Sequence, residues 1–293
     1  MNRGFQAMTG CFPGQHPRMW LAALLIGFSA GAAAQNMDDV EIEVTPLNGP
    51  LAMLTGSGGN IGISSGEDGV LMIDAQYEAL AERIREAVGE NPRLLVNTHL
   101  HDDHTNGNPA FGADSVIVAH ANVRTRLEEA GMEPIGLPAM TFTERMTLHF
   151  NGERVDMIHY PRGHTDGDVV LYFAGSNVVH AGDLFFQGRF PFVDLDNGGS
   201  VQGYIANVDQ ILARVNDDTQ IIPGHGELAD KAELTRLRNM MTGTVAEVRT
   251  MMSNDMSLEA IVGEGLDPEW DEWSWNFITE ERWIETIYNS YSE

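Results

Sequence analysis

Only one of the 293 residues is cysteine, Cys11. That excludes a disulfide framework and a cysteine-based zinc finger, and it removes thiolate as nucleophile or metal ligand from everything downstream. Positive charge is also scarce: 17 Lys and Arg face 43 Asp and Glu, for a net charge of −26. Such an acidic chain repels phosphate backbones and anionic lipid surfaces, so neither nucleic acid nor a membrane is expected as partner. No linker, repeat or low-complexity stretch interrupts residues 35–293. What is present in quantity is apolar: hydrophobic residues make up 43% of the chain, enough for a sizeable core.

The first 34 residues read as an export signal. Arg3 and Arg18 precede an apolar run from Trp20 to Phe28, and Ala32-Ala33-Ala34 forms a small-residue cleavage site before Gln35. As a membrane anchor the run is short, since a bilayer needs about 20 apolar residues. The expectation is a signal peptide at 1–34, a mature single domain at 35–293, and a periplasmic or secreted location with no membrane association after cleavage. The mature chain then contains no cysteine.

Within it, alternation predicts strands over Val40–Val44, Leu51–Thr55, Asn60–Ser64 and Gly69–Ile73, followed by a helix over Gln76–Val88. Leu94–Asn97 and Val116–Ala119 read as buried strands, with a polar helix near Asn122–Ala130. Thr141–Ile158 reads as strands around an Asn151-Gly152 turn, and Val169–Phe173 and Asn177–Ala181 as a further pair. From Ser200 onward the pattern is helical, over Val201–Val215, Asp230–Met252 and Thr279–Tyr288. Strands and helices that interleave twice imply sheets covered by helices. The Trp270–Trp283 stretch reads either as core and lid packing or as a border of a site mouth.

The chemistry concentrates in Thr98-His99-Leu100-His101-Asp102-Asp103-His104, directly after a predicted strand. In extended chain, residues two apart share a side, so His99 and His101 point one way. Imidazole and carboxylate suit zinc and, less selectively, iron or manganese. Three single candidates follow on tight loops beside β-segments: His164 in Pro161-Arg162-Gly163-His164-Thr165, Asp183 in His180-Ala181-Gly182-Asp183, and His225 in Pro223-Gly224-His225-Gly226. Asp74 ends a strand, and it or the Thr98 hydroxyl suits the second ring nitrogen of a ligand histidine. His120, His149, His159 and His180 read as packed or surface residues.

This string resembles the metal-ligand pattern of the metallo-β-lactamase superfamily over essentially the whole mature chain. The resemblance implies an α+β fold, an αββα sandwich of two packed mixed β-sheets flanked by helices with a metal site at one edge. It implies His99, His101 and His164 on a first metal, Asp103, His104 and His225 on a second, and Asp183 bridging them. Two Zn2+ ions are expected, with iron or manganese admitted by the same ligands. Asp103 is expected to orient a metal-bound hydroxide that attacks an ester, lactone, thioester or amide of a small-molecule substrate.

The segment Gly163–Phe173 is close to zinc β-lactamases that use a ligand cysteine, yet those carry Cys where this chain has Asp183 and Lys where it has Phe186. The Asp instead resembles glyoxalase-type thioester hydrolases and lactonases, which disfavours β-lactams. A one-iron persulfide dioxygenase and a non-catalytic periplasmic metal-binding accessory protein share parts of the pattern. Arg189 and Phe186, in the apolar stretch after Asp183, are candidate pocket residues, with Arg189 suited to a carboxylate.

Overall fold

A computed structural model describes residues 37–292, so the leader lies outside the described residues. Seven strands form the first sheet in chain order: β1 (Glu43–Pro46), β2 (Leu51–Thr55), β3 (Ile61–Gly66), β4 (Gly69–Ile73), β5 (Leu94–Val96), β6 (Val116–His120) and β7 (Met140–Phe142). β1 to β4 pair antiparallel, and β4 to β7 pair parallel. The second sheet runs β12-β11-β10-β9-β8, from β8 (Arg145–Phe150), β9 (Glu153–His159), β10 (Val169–Phe173), β11 (Val178–His180) and β12 (Gln220–Ile222). Only β11 and β12 are parallel there.

Both sheets are therefore mixed, and eight α-helices accompany them among the described residues: α1 (Ala81–Val88), α2 (Asp102–Thr105), α3 (Asn108–Phe111), α4 (Ala121–Glu129), α5 (Val201–Leu212), α6 (Lys231–Ser253), α7 (Leu258–Glu264) and α8 (Glu280–Ser292).

Why the layers stack is visible in β4. Alternate residues leave a strand on opposite faces. Leu71 and Ile73 meet Met157, Leu171 and Ile222 of the second sheet, while Val70 and Met72 join Leu80, Ile84 and Phe111 on the helical side. Both faces are covered, so the strand is apolar throughout. The second sheet repeats this: Val170 and Val179 face Val208 of α5, Met240 of α6 and Ile284 of α8. The order is helix, sheet, sheet, helix, the αββα sandwich implied by the sequence.

One local reading changes and another gains detail. The first strand lies at Glu43–Pro46 rather than Val40–Val44, because Val40 is buried beside the first sheet's outer cluster instead of paired. The Thr141–Ile158 region is made of strands around the Asn151-Gly152 turn, as read, but they belong to two sheets. Met140–Phe142 closes the first sheet, the chain crosses over at Thr143 and Glu144, and only β8 and β9 pair across Asn151-Gly152.

Parallel neighbours bring their carboxyl ends to one edge. Asp74 follows β4, His99 to His104 follow β5, Asp183 follows β11, and His225 follows β12. His164 arrives at the same edge on the β9–β10 connection.

Candidate metal centre

Five imidazoles and two carboxylates meet at that edge. His99, His101, His164 and Asp183 form one group, and Asp103, His104 and His225 a second, with ligand atoms within 4.8 Å of one another in each. Asp183 lies between them. Its Oδ1 is 3.1 Å from His104 Nε2, and its Oδ2 is 3.4 Å from both His164 Nε2 and His225 Nε2 and 3.7 Å from His99 Nε2. Gly224 makes room for it, since a Cβ there would stand 1.9 Å from Asp183 Oδ1.

Each histidine of the first group has one nitrogen committed elsewhere. The Thr98 hydroxyl donates to Asp74 Oδ2 at 2.7 Å, so at 3.0 Å it can only accept from His99 Nδ1–H. His164 Nδ1 donates to the Phe192 carbonyl at 2.8 Å, and His101 Nε2 to Asp194 Oδ2 at 2.8 Å. With those tautomers, three nitrogen lone pairs face one another: His101 Nδ1 is 2.8 Å from His164 Nε2 and 3.1 Å from His99 Nε2. Facing lone pairs repel unless a cation sits among them.

In the second group, His104 Nδ1 donates to Asp74 Oδ2 at 2.7 Å. Its buried Nε2 makes no hydrogen bond, and neither does Asp183 Oδ1, although the two are 3.1 Å apart. Their separation satisfies distance but not direction. Ligands about 2.05 Å from a tetrahedral ion stand about 3.3 Å apart, close to these spacings. The donor set thus fits metal ions.

Protonation follows the same division. Burial, reinforced by the neighbouring His104, holds His99 well below its ordinary pKa. Burial also lowers His164 to about 4. For His104, burial pulls down but the Asp183, Asp103 and Asp74 carboxylates outweigh it and raise the ring well above the usual value. For His225, burial is likewise overcome by Asp183 and Asp103, to about 9. Burial opposes ionisation of Asp183, yet the surrounding imidazoles hold it well below the usual carboxylate range. Asp103 is lowered too: burial is outweighed by His104 and the His225 hydrogen bond.

Asp74 is fully buried with φ 63°, a left-handed conformation that Asp tolerates better than most residues. Its Oδ1 accepts the Thr98 backbone N–H at 2.8 Å, and its Oδ2 serves both the Thr98 hydroxyl and His104. Asp194 has the same bearing on His101 and has no counterpart in the reading of the sequence. It accepts from Asn197 N at 3.0 Å and Asn197 Nδ2 at 2.7 Å. Arg126 braces Asn197 Oδ1 at 2.7 Å while pairing with Asp166. The available signal was an Asp before an Asn-Gly-Gly turn, which reads as turn chemistry. His180 is buried, bonded to Asn60 O and Gly182 N rather than ligating.

Phe186 stacks on His225, centroids 4.9 Å apart, and lines the cavity in front of the cluster. Arg189 does not line it. Its guanidinium lies 5.1 Å from the Trp275 ring, and its Nε reaches Gln187 O.

The model of the metallo-beta-lactamase superfamily matches residues 54–225. The chain belongs to the metallo-beta-lactamase superfamily. Relatives include a metallo-beta-lactamase type 2 of Bacteroides fragilis, 21% identical over 154 residues, which cover 53% of this chain and 61% of that protein. The hydroxyacylglutathione hydrolase GloC of Haemophilus influenzae is 28% identical over 170 residues, 52% of this chain and 76% of that one. Among solved structures, a metallo-beta-lactamase from Pontibacter korlensis shares the fold, with TM-score 0.61 and 19% identity, covering 69% of this chain and 99% of that one. By membership and relatives this superfamily chain is a metallo-hydrolase.

Proposed function

We propose that this metallo-hydrolase cleaves an ester, lactone, thioester or amide with two zinc ions held by the clustered imidazoles and carboxylates, in an exported protein. What carries the reading is the set of facing imidazole lone pairs, together with the unpartnered buried His104 Nε2 and Asp183 Oδ1. His99, His101 and His164 would hold one ion, Asp103, His104 and His225 the other, and Asp183 both. Ions so held supply Lewis acidity and bring the pKa of a water towards neutrality.

The chain's own groups do the rest. Asp103, whose carboxyl is partly exposed and lines the cavity, is placed to accept a hydrogen bond from the attacking water and fix its direction. Asp74, Thr98 and Asp194 hold the rings so that their lone pairs converge. No nucleophilic serine or cysteine is required, and the mature chain has no cysteine. Asp183 between the two ligand groups, where it would hold both ions, and Phe186 on the cavity wall favour bonds other than β-lactams, and the Ala32-Ala33-Ala34 leader supports export.

His101→Ala should lower bound metal by about one ion per chain and abolish cleavage across a panel of the four bond classes, read by metal analysis and initial rates. Full activity after exhaustive chelation would overturn the proposal.

A further inference from the structure

The cavity over the cluster, about 610 Å³, has two unlike walls. His101, Asp102, Asp103, Asp183 and His225 supply the polar lining; Phe186, Trp275, Phe277 and Phe192, in ring contact one with the next, supply the aromatic wall. Among the described residues no lysine or arginine lines it. The two arginines that come near are spent on the aromatic wall: Arg189 stacks on Trp275, and Arg282 lies 4.4 Å from the Phe277 ring and 5.4 Å from Phe192. Arg282 also donates to the Phe277 carbonyl at 2.9 Å, fixing that loop.

Phe277 packs edge-on against Trp275 and Phe192, at 5.6 Å and 5.5 Å, yet 47% of it stays exposed. A large aromatic ring held rigidly at a cavity mouth and left half bare is surface offered to an apolar ligand.

Resting on the hydrolase reading, we infer that the substrate is an uncharged acyl compound. Its apolar group packs against Phe192, Trp275 and Phe277 while its carbonyl reaches the polar wall. A carboxylate at the far end of the acyl chain is disfavoured, because it would lose water against aromatic rings in a cavity that no cation lines, with Arg189 and Arg282 held against Trp275 and Phe277, and near Asp102 and Asp103. For an ester, water oxygen bonds to the acyl carbon as the acyl–oxygen bond breaks; one water proton goes to the departing alkoxide and the acid releases the other to solvent.

The test uses the metal-loaded protein with three esters of one leaving group: 4-nitrophenyl acetate, 4-nitrophenyl hexanoate and the mono-4-nitrophenyl ester of adipic acid. A buried methylene is worth about fourfold. The hexanoate should exceed the acetate more than tenfold in kcat/KM and the adipate about a hundredfold. The double variant Trp275→Ala with Phe277→Ala should shrink both ratios below about threefold. Without turnover, calorimetry should show hexanophenone, an uncharged ketone, binding more tightly to the wild type than to the double variant. Equal kcat/KM for hexanoate and adipate would overturn the inference while leaving the hydrolase reading in place. Binding of hexanophenone without cleavage of any ester, lactone, thioester or amide would overturn the hydrolase reading, with the apolar preference of the cavity upheld by the binding.

Discussion

Asp194 shows how much of the centre lies in residues that never touch a metal. Its Oδ2 takes the Nε2–H of His101, so the lone pair of Nδ1 is the one turned inward. Asp194→Ala frees the ring to rotate and change tautomer, and metal affinity should fall about 10- to 100-fold, measured by chelator competition. Asp194→Asn keeps an acceptor and should recover most of it, whereas a merely structural role would leave affinity unmoved in both. The candidate ligands His99, His101, Asp103 and His104 stood out because three histidines and two aspartates within six residues after a strand are an unusual concentration, whereas His164, Asp183 and His225, each alone on a loop, stood out only through the family resemblance. Asp194 did not: its role depends on a side chain 93 positions away, and sequence spacing carries no such information. Arg189 shows the reverse. A lone cation in an apolar stretch suggests a carboxylate partner, but Arg189 stacks on Trp275 and is not among the residues lining the cavity.

Long, strongly periodic elements were readable and short ones were not. α5 and α6 match their predicted spans because 12 and 23 residues display several turns of a 3.6 period. α2 and α3, four residues each, have no period to display; α2 exists because the chain must turn to bring Asp103 and His104 back to the site. Register between β7 and β8 was hidden because both read as half-buried strands, and only the crossover assigns them to different sheets. The loops after β11 and β12 are packed equally tightly. Gly224 N donates to both Gly182 O and Phe185 O, so the Asp183 and His225 loops hold each other directly. Gly224→Ala would drive a Cβ to 1.9 Å from Asp183 Oδ1. Both strands end before this point, so circular dichroism should stay native while bound metal and hydrolysis fall more than tenfold, seen by metal analysis beside rate measurement.

Across the whole molecule the family match ends at residue 225, yet contacts connect the centre to the helices beyond it. α6, α7 and α8 cover the second sheet, and Trp283 of α8 is fully buried, stacked at 5.7 Å on Phe190 with its Nε1 donating to Thr244. Phe190 N donates to Trp273 O, and two residues on, the Phe192 carbonyl holds His164 Nδ1. A continuous path therefore runs from the C-terminal helix to the candidate ligand His164. The Trp270–Trp283 stretch serves both roles the sequence left open: Trp273 and Trp283 are core, while Trp275 and Phe277 border the cavity. Trp283→Ala removes a large buried ring and leaves Phe190 without its neighbour, which should cost about 3–5 kcal/mol in denaturant unfolding. Because Phe190 precedes the carbonyl that orients His164, the same variant should also bind metal more weakly under conditions where it is still folded. A loss of stability with unchanged metal affinity would show instead that the C-terminal helices are only a cover.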